Sequence, residues 1–563
     1  MINFIKNIFS QKNEDFYFSF LKDLETVTEK DVTLNIPPSH IEADFALMTN
    51  NPKINKYLSN KIKDSKNKYI DEVKAAGPFI NLFLNKKTFY NKTLKNIIAR
   101  ENSYGNNKIN KKLFIEYSSP NIAKPLGIGH LRSTVIGEAL AKIHEKQGYR
   151  VFRENYLGDW GTQFGKLVYA YKEWGNDEEI KKNPTKELKN LYVRFQKESE
   201  KDKSIEDNAR EFLNKLENGD KELMKLWESF REPSVVGFKK TYTRLGIKFD
   251  RFSGESEYVK QSLDLINECE KRGLCEKGEG KSLIVELDGL PSFLLRKKDG
   301  STLYLTRDLA ALKDRIKNHN PDKILYIVGN EQKLHFRQLF ALAEKLKIIE
   351  DHNVEHVGYG LILSNGKKMS TRKGTTVMLS EIFNESVSKS KKIIEEKSPE
   401  LLKEEKKEIS EILGVGSVVY NDLRHDREKD INFDWDKVLS FEGGSAVYLQ
   451  YTYARIMSII NKVSNDSIPH KLTFENDLEF DLAKQLFIFP KILNISCENE
   501  EPHKICSYLE DLAQSFNSFY GNTSIINTEN SNLKLSRIQL AKQVSVVIKE
   551  GLRILGIAVP NKM

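Results

Sequence analysis

The sequence is poor in cysteine. Its 563 residues include four cysteines, and no two of them are spaced as a C-x-x-C pair. A disulfide framework and a zinc ribbon are therefore not expected. His503 and Cys506 would share one face of a helix, but a pair without two further ligands indicates packing and not a metal. We predict no structural metal site.

The sequence also lacks a long hydrophobic run. No uninterrupted apolar stretch reaches the roughly 18 residues that a membrane span requires, so no membrane partner is expected. Residues 1–13 have a helical apolar pattern without an acidic residue, but they contain no arginine, and the acidic residues begin at Glu14. This disfavours a transit peptide, and we expect a cytoplasmic protein.

Length and charge set wider limits. A chain of this size exceeds a single core and predicts three or four domains. Lys and Arg number 89 against 80 Asp and Glu, a formal net charge of +9. The excess mildly favours an anionic partner such as nucleic acid, although a lysine-rich composition alone would produce the same value.

Three regions differ in their pattern. Residues 1–108 mix helical and strand-like segments and end in a polar, Asn-rich linker at 102–110. Residues 109–438 open as strand (113–117), turn, helix (130–146, closed by Gly148) and strand (150–156), which is typical of a parallel, doubly wound sheet. Further strands are predicted at 324–328 and 358–363, after a charged helical insertion at about 167–235. Residues 439–563 have helical periodicity and predict a terminal bundle.

One segment of the central region has the composition of a phosphate site. It reads SSPNIAKPLGIGHLRST, Ser118 to Thr134. Gly127 and Gly129 allow a ligand to approach the backbone, and the N–H groups at the following helix start favour bound phosphate. His130 lies in the first helical turn, where its ring can donate to a phosphate or a ribose. Alone, such a segment is more often a plain helix-entry turn.

A second segment, NGKKMSTRKGTT at 365–376, concentrates cations in a flexible loop. Lys367, Lys368, Arg372 and Lys373 stand among small residues. Such a loop can close over a triphosphate and meet the charge that develops as pyrophosphate leaves. Alone, it would usually be a solvated turn.

Together the two segments resemble the HIGH and KMSKS signatures of class I aminoacyl-tRNA synthetases. They read Gly127-Ile128-Gly129-His130 and Lys368-Met369-Ser370-Thr371-Arg372 here. Further segments are similar to arginyl-tRNA synthetases in particular, and this resemblance covers essentially the whole chain. These segments are AGPFINLFL (76–84), NYLGDWGTQFG (155–165), SGES (253–256), YLTRDL (304–309), GNEQKLHF (329–336) and DWDKVLSFEGGSAVYLQYTYAR (434–455).

The resemblance implies a fold and an activity. The fold is α/β: a Rossmann-type parallel-sheet catalytic domain at 109–438, an α/β N-terminal tRNA-contacting domain at 1–108, and an all-α anticodon-binding bundle at 439–563. The activity is ligation of L-arginine to the 3′ end of tRNA-Arg through an arginyl-adenylate. ATP with Mg²⁺ is the co-substrate, tRNA must be bound before arginine is activated, and the protein is expected to be a monomer.

The resemblance also assigns site residues. Glu116, Tyr304 and Asp308 would surround the guanidinium, because a permanently charged group with five donors requires carboxylates. A buried Glu116 within an apolar strand would otherwise be costly. Asn121, Glu255 and Gln332 would hold the amino and carboxyl ends of arginine, with His130 nearby. Alternative roles remain open: helix capping or an ion pair with the adjacent Arg307 for Asp308, and an ion pair within its own loop for Glu255.

For ATP the implied residues are Gly127, Gly129, His130, Lys368 and Met369. The candidates for catalysis are Lys124, His130, Lys368, Ser370 and Arg372, which act through positioning and stabilisation of phosphate charge. For tRNA the implied residues are Tyr448, Tyr520 and Met563, although core packing is an equally good interpretation of Tyr520 and Phe519.

The chain departs from the family pattern at two places. Gly127 replaces the first histidine of HIGH, and one lost charge-assisted hydrogen bond is worth about 1.5–3 kcal/mol. The second lysine of KMSKS is Thr371 or Arg372, a change for which Lys124 is thought to compensate. Gly127 leaves a catalytically weakened, tRNA-binding paralogue as the main alternative. A synthetase for another amino acid such as lysine, and a simple nucleotidyltransferase, fit fewer of the motifs.

Overall fold

The computed structural model describes most of the chain. The described residues are 15–38, 40–49, 51–182, 184–364, 367–368, 377–434, 438–440, 443–463 and 467–563. No helix within these ranges is both long enough and apolar enough to cross a membrane.

The N-terminal module is a four-stranded antiparallel sheet covered by helices. Its elements are α1 (Phe16–Thr28), β1 (Thr33–Asn35), β2 (Phe45–Met48), α2 (Pro52–Asp64), β3 (Ile70–Ala76), β4 (Phe79–Leu84) and α3 (Lys86–Arg100), with strand order β1-β2-β4-β3. Its aromatic core extends to a C-terminal helix, since Phe487 lies 4.8 Å from Phe89 and 5.1 Å from Phe16 between ring centroids. The two ends of the chain therefore share one core.

The central sheet is parallel and five-stranded. Its strands are β5 (Lys112–Glu116), β6 (Arg150–Leu157), β7 (Arg251–Gly254), β11 (Lys323–Gly329) and β12 (Asn353–Tyr359), in the order β12-β11-β5-β6-β7. Helix α4 (Gly129–Lys146) follows β5, as the apolar strand and the periodic helix predict. Because the chain leaves β5 toward β6 and later returns beside it as β11, the strand order reverses at β5. Ligands of such sheets bind at this point, outside the carboxyl ends of the strands.

Two additions interrupt the sheet. Between β6 and β7 lie the helices α5 (Thr162–Trp174), α6 (Asp177–Lys182), α7 (Pro184–Ser199), α8 (Ser204–Glu217) and α9 (Lys221–Arg244). Between β7 and β11 lie α10 (Val259–Lys271), the small antiparallel sheet of β8 (Glu276–Lys277), β9 (Leu283–Val285) and β10 (Phe293–Arg296), and α11 (Tyr304–His319). Helix α12 (Lys333–Lys345) joins β11 to β12. The region about 167–235 is helical, as its charged periodicity predicts.

The predicted single strand at 358–363 is wrong. Strand β12 ends at Tyr359, and β13 (Ile362–Ser364) belongs to a separate sheet with β14 (Lys367–Lys368) and β15 (Ile431–Asn432). The chain turns at Gly360, whose N–H donates to the Arg427 carbonyl. A Cβ at Gly360 would lie 2.6 Å from the Lys429 backbone, so the close approach that separates the strands requires glycine.

The remainder of the chain is helical. It contains α13 (Leu379–Lys397), α14 (Lys403–Leu423), α15 (Ala446–Asn461), α16 (Asp477–Glu498), α17 (His503–Asn522) and α18 (Ser531–Ile554). The Asn-rich segment at 102–110 is packed between modules. Tyr104 Oη donates to the Leu486 carbonyl at 2.7 Å, and Lys146 pairs with Glu550 at 2.7 Å. These buried contacts join the central sheet to the helical bundle.

Candidate active site

The residues directly after the second signature segment, 377–379, pair with the glycine segment beyond β5. The Ile128 N–H donates to the Val377 carbonyl at 3.2 Å, and the Leu379 N–H donates to the Leu126 carbonyl at 2.9 Å. Gly127 forms an isolated antiparallel bridge with Met378 between these two bonds. The residues that follow the cationic loop are therefore attached directly to the glycine segment. Lys368 lies in β14, whereas Met369, Ser370 and Arg372 lie outside the described residues.

His130 has a defined orientation. Its Nδ1 lies 3.1 Å from the Gly127 nitrogen and 3.3 Å from the Gly127 carbonyl oxygen, so it accepts from the first or donates to the second according to the tautomer. Burial lowers the pKa of His130, and the charge of Lys124 lowers it further. In the neutral tautomer that accepts at Nδ1, the proton is on Nε2, where it can donate to a phosphate or a ribose. At Gly129 a Cβ would meet nothing within 4 Å, so the helix entry is open.

Lys124 is a half-buried cation held by uncharged groups. Its Nζ lies 3.5 Å from Gln163 Oε1 and 4.9 Å from the ring centroid of Tyr192. Burial lowers its pKa, and no described carboxylate forms an ion pair with it. A desolvated ammonium of this kind is suited to a phosphate oxygen.

On the other side of the crevice, Glu116 is buried at the last position of β5. Its Oε2 binds Arg315 Nη1 at 2.6 Å, and its Oε1 accepts from Ser119 Oγ at 3.3 Å. Arg315 also binds Glu154 at 2.6 Å, so one guanidinium is shared by two carboxylates. Burial raises the pKa of Glu116 to about 7, against the opposing effect of Arg315. Its ionisation therefore changes in the physiological range.

Glu255 and Asp308 each have a cation of their own. Glu255 Oε2 binds Arg307 Nη2 at 2.8 Å, and Asp308 Oδ2 binds His335 Nε2 at 2.7 Å. Burial raises the pKa of Glu255 to about 8, although Arg307 opposes it. For His335 burial acts in the other direction, but the hydrogen bond and charge of Asp308 outweigh it and raise the pKa.

Neither of the ion pairs considered from the sequence is present in that form. Asp308 pairs with His335 and not with the adjacent Arg307, while Glu255 pairs with Arg307, 52 residues away, and not within its own loop. The segment that carries Glu255 is anchored by Asp159, whose Oδ1 accepts from the Ser256 N–H at 2.9 Å. The NYLGDWG and SGES segments are thereby joined.

The remaining arginine candidates lie at the same end of the sheet. Tyr304 begins α11 and is 54% exposed, with the Arg307 guanidinium 5.1 Å from its ring centroid. Asn121 is exposed and bridges to Gly158, where a Cβ would lie 1.9 Å from Asn121 Oδ1. Gln332 is exposed in the short 3₁₀ turn after β11. Glu116, Asn121, Glu255, Tyr304, Asp308 and Gln332 therefore all lie at or beyond the carboxyl ends of the parallel strands, or at the helix beside them.

Of the three residues predicted to bind tRNA, Tyr448 and Tyr520 lie on neighbouring helices and Met563 lies at the end of the chain. Tyr448 Oη accepts from Asn517 Nδ2 at 2.9 Å, and Tyr520 is 42% exposed, with the Arg455 guanidinium 5.8 Å from its ring centroid. Tyr448 and Tyr520 lie on the neighbouring helices α15 and α17. Phe519 is fully buried, so core packing applies to Phe519 and not to Tyr520. Met563 packs on the cluster of Ile394, Ile409 and Leu413 and also against the main core.

Four residues at the site were missed by sequence reasoning: Tyr192, Arg307, Arg315 and His335. Arg307 and His335 stand within the quoted segments YLTRDL and GNEQKLHF, next to residues that were assigned. No local pattern pointed to Arg315 or Tyr192. Among the described residues, no group of three or more His, Cys, Asp or Glu side chains could hold a metal ion.

Comparisons with known proteins cover the whole chain. The family model "tRNA synthetases class I (R), catalytic domain" matches residues 93–435, and "DALR anticodon binding domain" matches residues 449–563. Arginine–tRNA ligase 1 of a Bacillus cereus strain is 43% identical over 513 residues, 91% of this chain and 90% of that protein. Arginine–tRNA ligase of Clostridium kluyveri is 40% identical over 569 residues, 98% of both.

Solved structures share the fold. Arginyl-tRNA synthetase of Thermus thermophilus has a TM-score of 0.82 at 22% identity and covers 97% of this chain and 100% of its own. The enzyme of Plasmodium falciparum has a TM-score of 0.80 at 24% identity, over 97% and 99%. The α/β fold with a Rossmann-type catalytic domain and a helical C-terminal domain is thus confirmed. By its family matches and its relatives, this chain belongs to the arginyl-tRNA synthetase family of class I aminoacyl-tRNA synthetases.

Proposed function

We propose that this protein is an arginine–tRNA ligase that uses the crevice at the carboxyl ends of β5 and β11 for both of its chemical steps. The carboxylate of L-arginine attacks the α-phosphate of ATP, which gives arginyl-adenylate and releases pyrophosphate. A terminal ribose hydroxyl of tRNA-Arg then attacks the acyl carbon and releases AMP. The observation that carries the proposal is the pairing of an acid-lined end of the sheet with the open glycine turn beside it. Family membership supports the same conclusion.

The acidic residues bind the amino acid. Glu116 and Asp308 each have one oxygen engaged by a cation of the protein, at 2.6 and 2.7 Å. The second oxygen of Asp308 remains for the guanidinium of arginine, and the second oxygen of Glu116, which accepts from Ser119 Oγ at 3.3 Å, keeps a further lone pair for it. Tyr304 covers the guanidinium with its exposed ring. Asn121, Glu255 and Gln332 hold the amino and carboxyl ends of the substrate, near His130. A planar guanidinium matches carboxylate oxygens in a way that a lysine ammonium does not.

The opposite side of the crevice binds ATP. Gly127 and Gly129 allow the phosphates to approach the start of α4, where the positive end of the helix dipole attracts anions. Neutral His130 donates from Nε2, and Lys124 brings a full positive charge. Lys368, Met369, Ser370 and Arg372 close over the triphosphate, and Mg²⁺ arrives with ATP as part of the substrate. Catalysis results from positioning and from stabilisation of phosphate charge.

The flanking modules bind tRNA. Residues 439–563 read the anticodon, with Tyr448 and Tyr520 as candidates for contact with splayed bases. Met563 supports this domain by packing on α13 and α14. Residues 1–108 contact the body of the tRNA, and residues 109–438 carry out the chemistry. We further propose that the protein acts as a monomer in the cytoplasm.

The test is aminoacylation of a tRNA-Arg transcript by the purified protein with radiolabelled arginine. Lysine with its own tRNA is the substrate control, and ATP–pyrophosphate exchange is measured with and without tRNA-Arg. We expect arginine transfer and exchange that requires tRNA. Binding of tRNA without transfer or exchange would support the paralogue alternative instead. In that case Gly127→His becomes the next variant to assay.

A further inference from the structure

Lys124 differs from the other cations of the crevice in what holds it. Arg307, Arg315 and His335 each contact a carboxylate at 2.8 Å or less. The ammonium of Lys124 instead contacts the amide oxygen of Gln163 and the face of Tyr192. Its charge is therefore not compensated by any described residue, although the side chain is half-buried.

Tyr192 comes from the helical insertion and not from the sheet. It lies on α7, whose Leu188, Leu191 and Phe195 are buried at helical spacing and attach the helix to its neighbours. Phe195 packs on Tyr169 of α5, with ring centroids 5.8 Å apart. The position of the Tyr192 ring over Lys124 is thus set by the packing of the insertion.

Gln163 is fixed from the other direction. It lies in the first turn of α5, where its Nε2 donates to the Gly158 carbonyl at 3.3 Å. That bond orients the amide so that Oε1 faces Lys124. An ammonium has three donors, and the amide oxygen uses one, while an aromatic face attracts the cation without carrying a net charge. Donors therefore remain for a phosphate.

We propose that Tyr192 and Gln163 form an uncharged clamp that positions Lys124 for the phosphates of ATP, so that the helical insertion supplies part of the ATP site. The inference rests on the proposed function and deepens it. A carboxylate in place of either residue would pair with the ammonium, and the phosphates would then have to displace it. An uncharged clamp restricts the side chain but leaves its charge to the substrate. Tyr192 and Gln163 are positioning residues in this scheme.

The sharpest test is Gln163→Glu, which keeps the size of the side chain and adds a negative charge beside Lys124. It also replaces the Nε2 donor to the Gly158 carbonyl by an oxygen, a loss that the new ion pair with Lys124 offsets. The new carboxylate would pair with Lys124, so we expect an unchanged or raised Tm together with a KM for ATP about tenfold higher. The KM for arginine should stay within about twofold. The alkaline limb of the pH profile should move upward, because the carboxylate raises the pKa of Lys124 that burial now lowers.

Tyr192 is tested by a pair of variants. Tyr192→Leu removes the ring and should raise the KM for ATP about fivefold, the value of one partly desolvated cation–π contact. Tyr192→Phe keeps the ring, so its KM for ATP should stay close to that of the wild type. The matched control is Phe212→Leu, on helix α8 of the same insertion, whose ring contacts Lys172 and Lys215 and not Lys124. Melting temperatures are recorded for all variants.

The outcomes separate the clamp from the proposed function. An unchanged KM for ATP in Gln163→Glu, or equal losses in Tyr192→Phe and Tyr192→Leu, would overturn the clamp. If Tyr192→Leu does not fold, Gln163→Glu decides alone. If the wild-type protein charges no tRNA, the proposed function fails. The clamp is then decided by calorimetry with inorganic tripolyphosphate, which Gln163→Glu should bind about tenfold more weakly and Tyr192→Phe as the wild type does.

Discussion

The two sides of the crevice are built on opposite electrostatic rules. On the amino-acid side Glu116, Glu255 and Asp308 are each paired with a cation of the protein, namely Arg315, Arg307 and His335. On the phosphate side, no described carboxylate forms an ion pair with Lys124, and His130 is a neutral donor. One side balances its charge before the substrate arrives, and the other does not.

The difference has a physical cause. Several buried carboxylates in one pocket repel one another and would take up protons, unless nearby cations stabilise their charges. The paired cations oppose this proton uptake, but the substrate then has to share each carboxylate. A balanced pocket favours the planar geometry of a guanidinium over positive charge alone. The phosphate side binds a highly charged ligand and benefits from charge that is left uncompensated.

The largest effect is expected at Lys124. Lys124→Met keeps the aliphatic stem and removes the charge, and should lower kcat for aminoacylation by about 100-fold or more, as for the loss of one preorganised donor in a catalytic site. The KM for arginine should hardly change. The measurement is steady-state aminoacylation with ATP and arginine varied separately. Lys172→Met, at an exposed ion pair with Glu222, is the control. A loss below about threefold would move the catalytic charge to the 368–373 loop.

The second largest effect is expected at Asp308, on the arginine side of the crevice. Asp308→Asn removes one of the paired charges and should raise the KM for arginine about 10- to 100-fold, because one hydrogen bond to a charged group is worth about 1.5–3 kcal/mol. The KM for ATP should remain within about threefold. Kinetics with each substrate varied in turn measures both values. A parallel rise in the two constants would show that the sides of the crevice are not independent.

Much of the fold could be predicted because it depends on local pattern. Local patterns within 40 residues of sequence predict the apolar strand β5, the periodic helix α4 and the glycine that ends it. The division at Gly360 could not be predicted, since it depends on the backbone of Lys429, 69 residues further along the chain. The docking of the 102–110 segment on Leu486 is likewise a tertiary contact. A polar, Asn-rich composition indicates a connection but not what the connection packs against.

The candidate site, too, could be predicted only where local segments carry the signal. The carboxylates and glycines could be assigned because they stand in segments that resemble a family. Their partners could not, because Arg315 contacts Glu116 across 199 residues and Tyr192 contacts Lys124 across an insertion. Nothing in the local sequence of α11 or α7 distinguishes these residues from an ordinary helix face. Pairing of charges is a property of the packed molecule.

Proton uptake gives a third, smaller effect. With a pKa raised to about 7, Glu116 is mostly neutral below that pH and then attracts a guanidinium only weakly. Glu255, whose pKa is raised to about 8, likewise loses its attraction for the amino end of the substrate when it is protonated. The affinity for arginine should therefore rise from pH 6 to 8.5, by up to about tenfold per pH unit for one group. The KM for ATP lacks this dependence. Glu116→Gln should remove the component near pH 7, and a profile unchanged by that variant would contradict the assignment.

The smallest effect concerns the cation beside Asp308. His335→Gln keeps a donor for Oδ2 of Asp308 but removes the cation that competes with the substrate for this carboxylate. The KM for arginine should therefore fall by about two- to threefold at pH 6.5. The thermal stability of the variant should fall, although its affinity for arginine rises. The raised pKa of His335 means that its ion pair stabilises the fold fully below the unfolded value of about 6.5 and less as pH rises through the folded value. The Tm deficit of the variant should therefore be larger at pH 6 than at pH 9. A higher KM for arginine in His335→Gln would mean that the ring orients Asp308 more than it competes for it, and the balance of charge would then not be what limits arginine binding.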